Sequence, residues 1–265
     1  MEQQSSNGHS PYKITSLIYL LNKFKLMCRF VLTIKNYEMI LITGASRGIG
    51  KFLFDRFVES GEAVAGTFHS TKPEEGNSDL YTKVDICNSA NITNWINDIG
   101  DKLENITLIN CAGNNYNAFA HKSSPEAWSS VIQTNLIGTY NCIRVILPIM
   151  REQNFGRIIN LASIVAQVGI PGTSAYAASK AGLWGLTKSI AVENANKGIT
   201  ANCLNLGYFD IGMIHEVPEK FQEVIKGQIP SGEFGQPENI YNAVRFLMDT
   251  EYINGTNLDI NGAKY

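Results

Sequence analysis

The sequence predicts an α/β protein built on one doubly wound, seven-stranded parallel sheet, and three observations predict it. From Met39 onward, short apolar runs alternate with longer amphipathic ones, the rhythm of strands joined by crossover helices. The glycine turn Thr43-Gly-Ala-Ser-Arg-Gly-Ile-Gly50 follows one apolar run directly and leads into Lys51-Phe-Leu-Phe-Asp-Arg-Phe-Val58, so a strand ends, the chain turns and a helix begins. The 265 residues, 44% hydrophobic and 17% charged, suffice for one large core and a single domain.

In chain order, strands are expected at residues 40–43, 63–67, 80–84, 107–110, 156–161, 200–204 and 256–260, each a short apolar run. Helices are expected near 48–60, 89–103, 125–150, 175–196 and 237–249, where the runs lengthen and turn amphipathic. Residues 70–79 contain Pro73 and Gly76 and are too short and broken for a crossover helix, so a turn or a helical stub is expected there. Residues 208–229, with glycines at 212 and 227, read as a mobile lid.

Residues 1–38 stand apart from the domain at 39–265. Residues 1–9 are polar, and the apolar stretch 14–34 is interrupted by Lys23, Lys25 and Arg29. It falls short of the roughly 20 uninterrupted apolar residues of a spanning helix, so an accessory, partly disordered extension is expected and no stable membrane span. The formal net charge of −2 with no basic block excludes a nucleic-acid footprint. The five cysteines (28, 87, 111, 142 and 203) are odd in number, scattered and without a Cys-x-x-Cys pair. Neither a disulfide framework nor a metal site follows, and a reducing cytoplasm fits.

Tyr176 and Lys180 lie one helical turn apart and share a face. An ammonium beside a phenol favours phenolate and lowers a pKa otherwise near about 10. Ser163 closes an apolar strand at the carboxyl edge of the sheet, where α/β proteins place ligands, and its hydroxyl can donate to an oxygen on which charge develops. Asn135 sits within a helix, where Asn is a middling former. The glycines at 44, 48 and 50 let the backbone approach a bound group, and the helix amino end offers N–H donors to a pyrophosphate.

Together these motifs resemble the compact short-chain dehydrogenases/reductases over residues 39–265, a Rossmann-fold family. The resemblance rests on Thr43, Gly44, Gly48, Ile49 and Gly50 in the dinucleotide turn, Asn110-Cys-Ala-Gly113 after the fourth strand, Asn135, Ser163, Tyr176 and Lys180. It implies that Tyr176 passes a proton to a carbonyl oxygen, that Lys180 holds the nicotinamide ribose, and that Asn135 holds a water of the proton relay. It also implies cofactor contacts at Ser46, Arg47, Asp85, Ile86, Asn110, Ala112, Gly113, Gly207 and Phe209.

The end of the second strand, Ala65-Gly-Thr-Phe-His-Ser-Thr-Lys72, has no acid to accept from a ribose 2′-hydroxyl, and Phe68 stands about where the family's aspartate would be. With Arg47 in the turn and His69, Ser70 and Lys72 near, NADP is expected. The carboxyl-terminal third is similar to 3-oxoacyl-carrier-protein reductases of fatty-acid synthesis, which implies a 3-oxoacyl thioester as substrate. Another keto intermediate, such as a polyketide or cyclic ketone, and a non-catalytic dinucleotide-binding role are the alternatives.

The subgroup's carrier-docking basic positions match Asn141 and Val192 here, with Arg144 and Lys188 nearby, which lowers the attraction for an acidic carrier. Leu206 and Ile211 replace a proline and a threonine that bound the cofactor end of the pocket. Asn114, Asn115, Phe119, Gln167, Ile170 and Tyr208 are expected to line the substrate pocket. By the same resemblance, a homotetramer or homodimer is expected through the long helices and the last strand.

Overall fold

A computed structural model describes residues 38–73 and 76–264. Apart from Glu38, the expectations for residues 1–38 lie outside the described residues. The seven strands are β1 (Met39–Thr43), β2 (Ala63–Phe68), β3 (Tyr81–Lys83), β4 (Thr107–Asn110), β5 (Gly156–Ser163), β6 (Ile199–Leu206) and β7 (Asn257–Ile260). All pair in parallel, in the order β3-β2-β1-β4-β5-β6-β7. The order reverses between β1 and β4, and the crevice at their carboxyl ends is where such sheets take ligands.

The main helices are α1 (Gly48–Glu59), α2 (Ser89–Ile99), α3 (Pro125–Ile132), α4 (Thr139–Gln153), α5 (Val165–Val168), α6 (Ser174–Asn194), α7 (Glu219–Lys226) and α8 (Pro237–Asp249). Their starts are chemically marked. The Asn88 side chain accepts from the Ala90 N–H ahead of α2, and Ser124 accepts from the Ala127 N–H with Pro125 in the first turn of α3. Central strands β1 and β5 are buried throughout, as strands covered on both faces must be. One apolar cluster packs β1 and β4 against α2 and α4 through Leu41, Leu108, Trp95 and Ile146; the other packs the opposite face against α1 and α8 through Ile40, Phe54, Phe57 and Ile240.

The structure sharpens the expectation at three places. The helix expected over 125–150 is divided by a π-helical turn, Gln133–Gly138, which carries Asn135. The segment 70–79 ends, as expected, in a helical stub, the 3-10 turn Ser78–Leu80, which moves the start of β3 from residue 80 to Tyr81. Residues 208–229, expected to form a lid, contain α7, whose Ile225 packs toward Ile214, Ile229 and Phe234. Among the described residues no helix is long and apolar enough to cross a membrane.

Candidate active site

The glycine turn is held against the end of β4. The Thr43 hydroxyl accepts from the Cys111 and Ala112 N–H groups, both at 3.2 Å, and the Gly44 N–H donates to the Thr67 hydroxyl at 3.2 Å. A Cβ on Gly44 would stand 2.7 Å from the Ala112 Cα, and one on Gly50 only 2.2 Å from the Gly44 carbonyl oxygen. Gly48 has φ of 53°, in the left-handed region. Arg47 precedes α1 without a side-chain cap, so the first N–H groups of the helix keep their donors for an anion. Ser46 is buried, Ile49 packs on the core, and Arg47 is exposed at the mouth of the crevice. His69 and Lys72 are also exposed, at the end of β2.

The other wall is the segment after β4. Asn135 is fully buried, and its carboxamide clamps this wall: Oδ1 accepts from the Asn114 N–H (2.9 Å), while Nδ2 donates to the Asn114 carbonyl (2.9 Å) and to Ser179 Oγ (3.1 Å). The Asn135 carbonyl accepts from the Thr139 hydroxyl at 2.8 Å. Asn135 is therefore a brace between wall and helix. A Cβ on Gly113 would stand 3.2 Å from Asn135 Oδ1 and 3.9 Å from Lys180 Nζ, so only a bare backbone passes this point at ordinary contact.

Ser163 ends β5, its Oγ accepts from the Val165 N–H at 3.3 Å, and it lies close enough to Tyr176 to act on its pKa. Tyr176 and Lys180 share the first turns of α6, with Nζ 5.6 Å from the phenol ring centroid. Lys180 is 6% exposed, and its ammonium donates to the Leu161 carbonyl at 2.6 Å. That is its one hydrogen bond among the described residues, leaving two N–H groups beside Gly113 with the chemistry to hold ribose hydroxyls.

Electrostatics here run against the sequence expectation. Burial pushes the Tyr176 phenol up to about 12, opposed by Ser163, and the depression expected from Lys180 does not appear. Burial likewise pulls Lys180 down to about 8. At neutral pH Tyr176 holds its proton and is ready to donate it.

The outer positions divide. Asp85 accepts from the Cys87 N–H at 2.9 Å, and Ile86 is buried where a Cβ on Gly138 would meet it at 2.7 Å. Asn110 donates to Asn160 Oδ1 at 2.8 Å, inside the sheet. A Cβ on Gly207 would stand 2.6 Å from the Asn261 Cα. Phe209, expected at the cofactor, has its ring in the core against Gly235. Leu206 is buried and Ile211 packs on the same cluster. Asn115 and Phe119 are exposed on the loop after β4, and Ile170 and Tyr208 are half-buried. Gln167 is exposed and donates to Asp259 Oδ1 at 3.1 Å.

Asn141 is a correction: it is buried, with Nδ2 donating to the Ile86 carbonyl at 3.1 Å, and cannot mark a docking surface. Val192 is 83% exposed. Sequence reasoning missed Ser179, which accepts from Asn135 and donates to the Tyr176 carbonyl at 2.7 Å; its place beside Lys180 was the available signal. Among the described residues no group of His, Cys, Asp and Glu could hold a metal ion.

A glycine turn, a braced crevice and a serine, tyrosine and lysine at its end define an oxidoreductase that works with a bound dinucleotide. The chain belongs to the short chain dehydrogenases, a family that binds nicotinamide dinucleotides, and the family's model matches residues 38–222. It is 36% identical over 237 residues to the acetoacetyl-CoA reductase of Shinella zoogloeoides, covering 86% of this chain and 98% of that one. A protein of the same name from Rhizobium meliloti (strain 1021) is 37% identical over 238 residues, 86% of this chain and 98% of its own. The 3-oxoacyl-(acyl-carrier-protein) reductase FabG of Staphylococcus aureus (strain N315) is 34% identical over 244 residues, 87% and 99% of the two chains.

Proposed function

We propose that this protein reduces the ketone of a 3-oxoacyl thioester with NADPH. The observation that carries the reading is Tyr176, kept protonated by burial, beside Ser163 and Lys180 at the end of a dinucleotide crevice, in a chain similar to reductases named for acetoacetyl-CoA and for 3-oxoacyl carrier proteins. The reduced nicotinamide, when bound, supplies the hydride. Ser163 orients the substrate oxygen by hydrogen bonding, and Tyr176 gives its proton to that oxygen as negative charge grows there. Lys180 and the Asn135 brace keep the phenol and the crevice wall in place.

The exposed Arg47, with His69 and Lys72 across the crevice mouth and no acid at the end of β2, supports NADP over NAD. Steady-state kinetics with NADPH and NADH test this: Arg47→Ala raises the KM for NADPH about tenfold, on the scale of one charge-assisted contact, and leaves that for NADH in place. A wild-type preference for NADH overturns it. For the reaction, NADPH oxidation is followed with 3-oxoacyl-CoA and 3-oxoacyl carrier-protein substrates; binding without turnover, or undiminished activity of Tyr176→Phe, refutes the reading.

Assembly through α4 and α6 is part of this proposal. A groove of about 200 Å³ between them, with Ile143, Leu147, Pro148 and Ile190 in its lining and Arg144, Arg151 and Glu193 adding charge, suits a second copy of the chain. Light scattering reporting a monomer rejects it. Among the described residues Cys87, Cys111, Cys142 and Cys203 are free thiols.

A further inference from the structure

Among the described residues, four buried side-chain polar atoms have no hydrogen-bond partner: Asn110 Oδ1, Asn114 Oδ1, Asn257 Oδ1 and Asn261 Nδ2. Their settings differ. Asn257 and Asn261 belong to β7 and the residue just past it, at the far edge of the sheet. Asn110 bonds to Asn160, which donates to Thr187 at 2.8 Å, so its open oxygen belongs to an interior network between β5 and α6. Asn114 alone lies in the wall of the crevice, one residue beyond Gly113, which passes both Asn135 and Lys180.

The Asn114 backbone is fixed, and its side chain has one long contact. Its backbone N–H and carbonyl are both held by Asn135, and its Nδ2 donates to the Thr134 hydroxyl at 3.4 Å. The remaining atom is an acceptor without a donor. A buried carbonyl left unpaired costs about 1–3 kcal/mol, so its place is best explained by a donor that arrives with a ligand. Of the groups a dinucleotide brings to this crevice, the pyrophosphate has only acceptors; the donors are the ribose hydroxyls and the adenine and carboxamide amines. On a wall shared with Lys180, whose remaining N–H groups suit ribose oxygens, a ribose hydroxyl is the donor that fits.

We infer that Asn114 Oδ1 accepts a hydrogen bond from a ribose hydroxyl of the bound dinucleotide, making Asn114 a cofactor-binding residue. This rests on the dinucleotide reading of the crevice and is independent of which ketone is reduced. Lys180 presents donors beside the same wall while Asn114 presents an acceptor, so the two can engage a diol in complementary senses. The role also accounts for an amide at a position where an apolar side chain would leave no oxygen unsatisfied.

Isothermal titration of the full chain with NADP+ and with 2′,5′-ADP tests the inference without turnover. Asn114→Leu removes the acceptor and the bond to Thr134; Thr134→Val removes only the latter. Asn114→Leu is expected to weaken NADP+ binding about tenfold, and Thr134→Val less than twofold. Equal weakening of both ligands assigns the hydroxyl to the adenosine ribose, and weakening of NADP+ alone assigns it to the nicotinamide-side ribose. Unchanged binding by a folded Asn114→Leu, or an equal loss in Thr134→Val, overturns the inference, because the side chain would then be only a brace. A wild-type chain that binds neither ligand overturns it along with the NADP reading, whereas intact binding without reduction of any 3-oxoacyl thioester refutes only the proposed reaction.

Discussion

Replacing Lys180 with methionine should make the dinucleotide-free protein more stable at neutral pH while abolishing its activity. The ammonium is nearly out of solvent, and burial lowers its pKa from 10.5 to about 8. A drop of that size corresponds to roughly 3 kcal/mol spent on keeping the charge inside at pH 7. Methionine keeps much of the apolar stem but forfeits the 2.6 Å bond to the Leu161 carbonyl, at a cost of about 1 kcal/mol. The desolvation effect is the larger, so Lys180→Met should gain on the order of 1–2 kcal/mol in urea unfolding at pH 7.

The pH dependence fixes the cause. Between about 8 and 10.5 the unfolded chain holds the Lys180 proton and the folded chain does not. Wild-type stability therefore rises with pH through this window relative to the variant, and the advantage of Lys180→Met should shrink toward zero or reverse by pH 10. Tyr176, pushed up to about 12, acts oppositely above its ordinary value of 10, but it is present in both proteins and drops out of the difference. A variant less stable than wild type at pH 7, or a difference that stays constant from pH 7 to 10, refutes the reasoning. Either result would mean that the ammonium is paired well enough in the fold to offset its burial.

Three further predictions follow from the same geometry. Tyr176→Phe should lower kcat about 10²- to 10⁴-fold with dinucleotide affinity retained, measured by stopped assays and titration; a smaller loss removes Tyr176 as the proton donor. Gly50→Ala would drive a Cβ into the Gly44 carbonyl and should abolish dinucleotide binding, whereas Gly48→Ala meets only Gly212 Cα at 3.6 Å and should cost about 1–2 kcal/mol of stability through its left-handed φ. Asn141→Arg should destabilise the fold by about 2 kcal/mol, because it breaks the bond to Ile86 and buries a guanidinium. Undiminished stability with faster association of an acyl carrier protein would show that position 141 reaches the surface.

The last of these shows where sequence reading stops. Strand positions were legible because each β-run is short, apolar and bounded, and β4 and α8 run as expected from residue 107 to 110 and from 237 to 249. Asn135, Ser163, Tyr176 and Lys180 were legible because their motifs occur in order along those elements. Asn141 was not. Its face on the helix depends on the phase carried forward from α3, and the π-helical turn at Gln133–Gly138 inserts extra backbone that shifts this phase. No residue in Gln-Thr-Asn-Leu-Ile-Gly announces such a turn, since its hydrogen bonds are set by the fit of Gly138 under Ile86 and of Leu136 against Gly182. The sign of the Tyr176 shift was hidden for a related reason. Spacing put a cation one turn away, but how deeply α6 sinks against β5 and β6 decides whether charge attraction or desolvation wins, and that depth is a property of the packed molecule. The two features that sequence missed thus meet on one helix: the π turn seats Asn135 as a brace that bonds Ser179 of α6, and Ser179 in turn donates to the carbonyl of Tyr176, the residue whose burial keeps its proton.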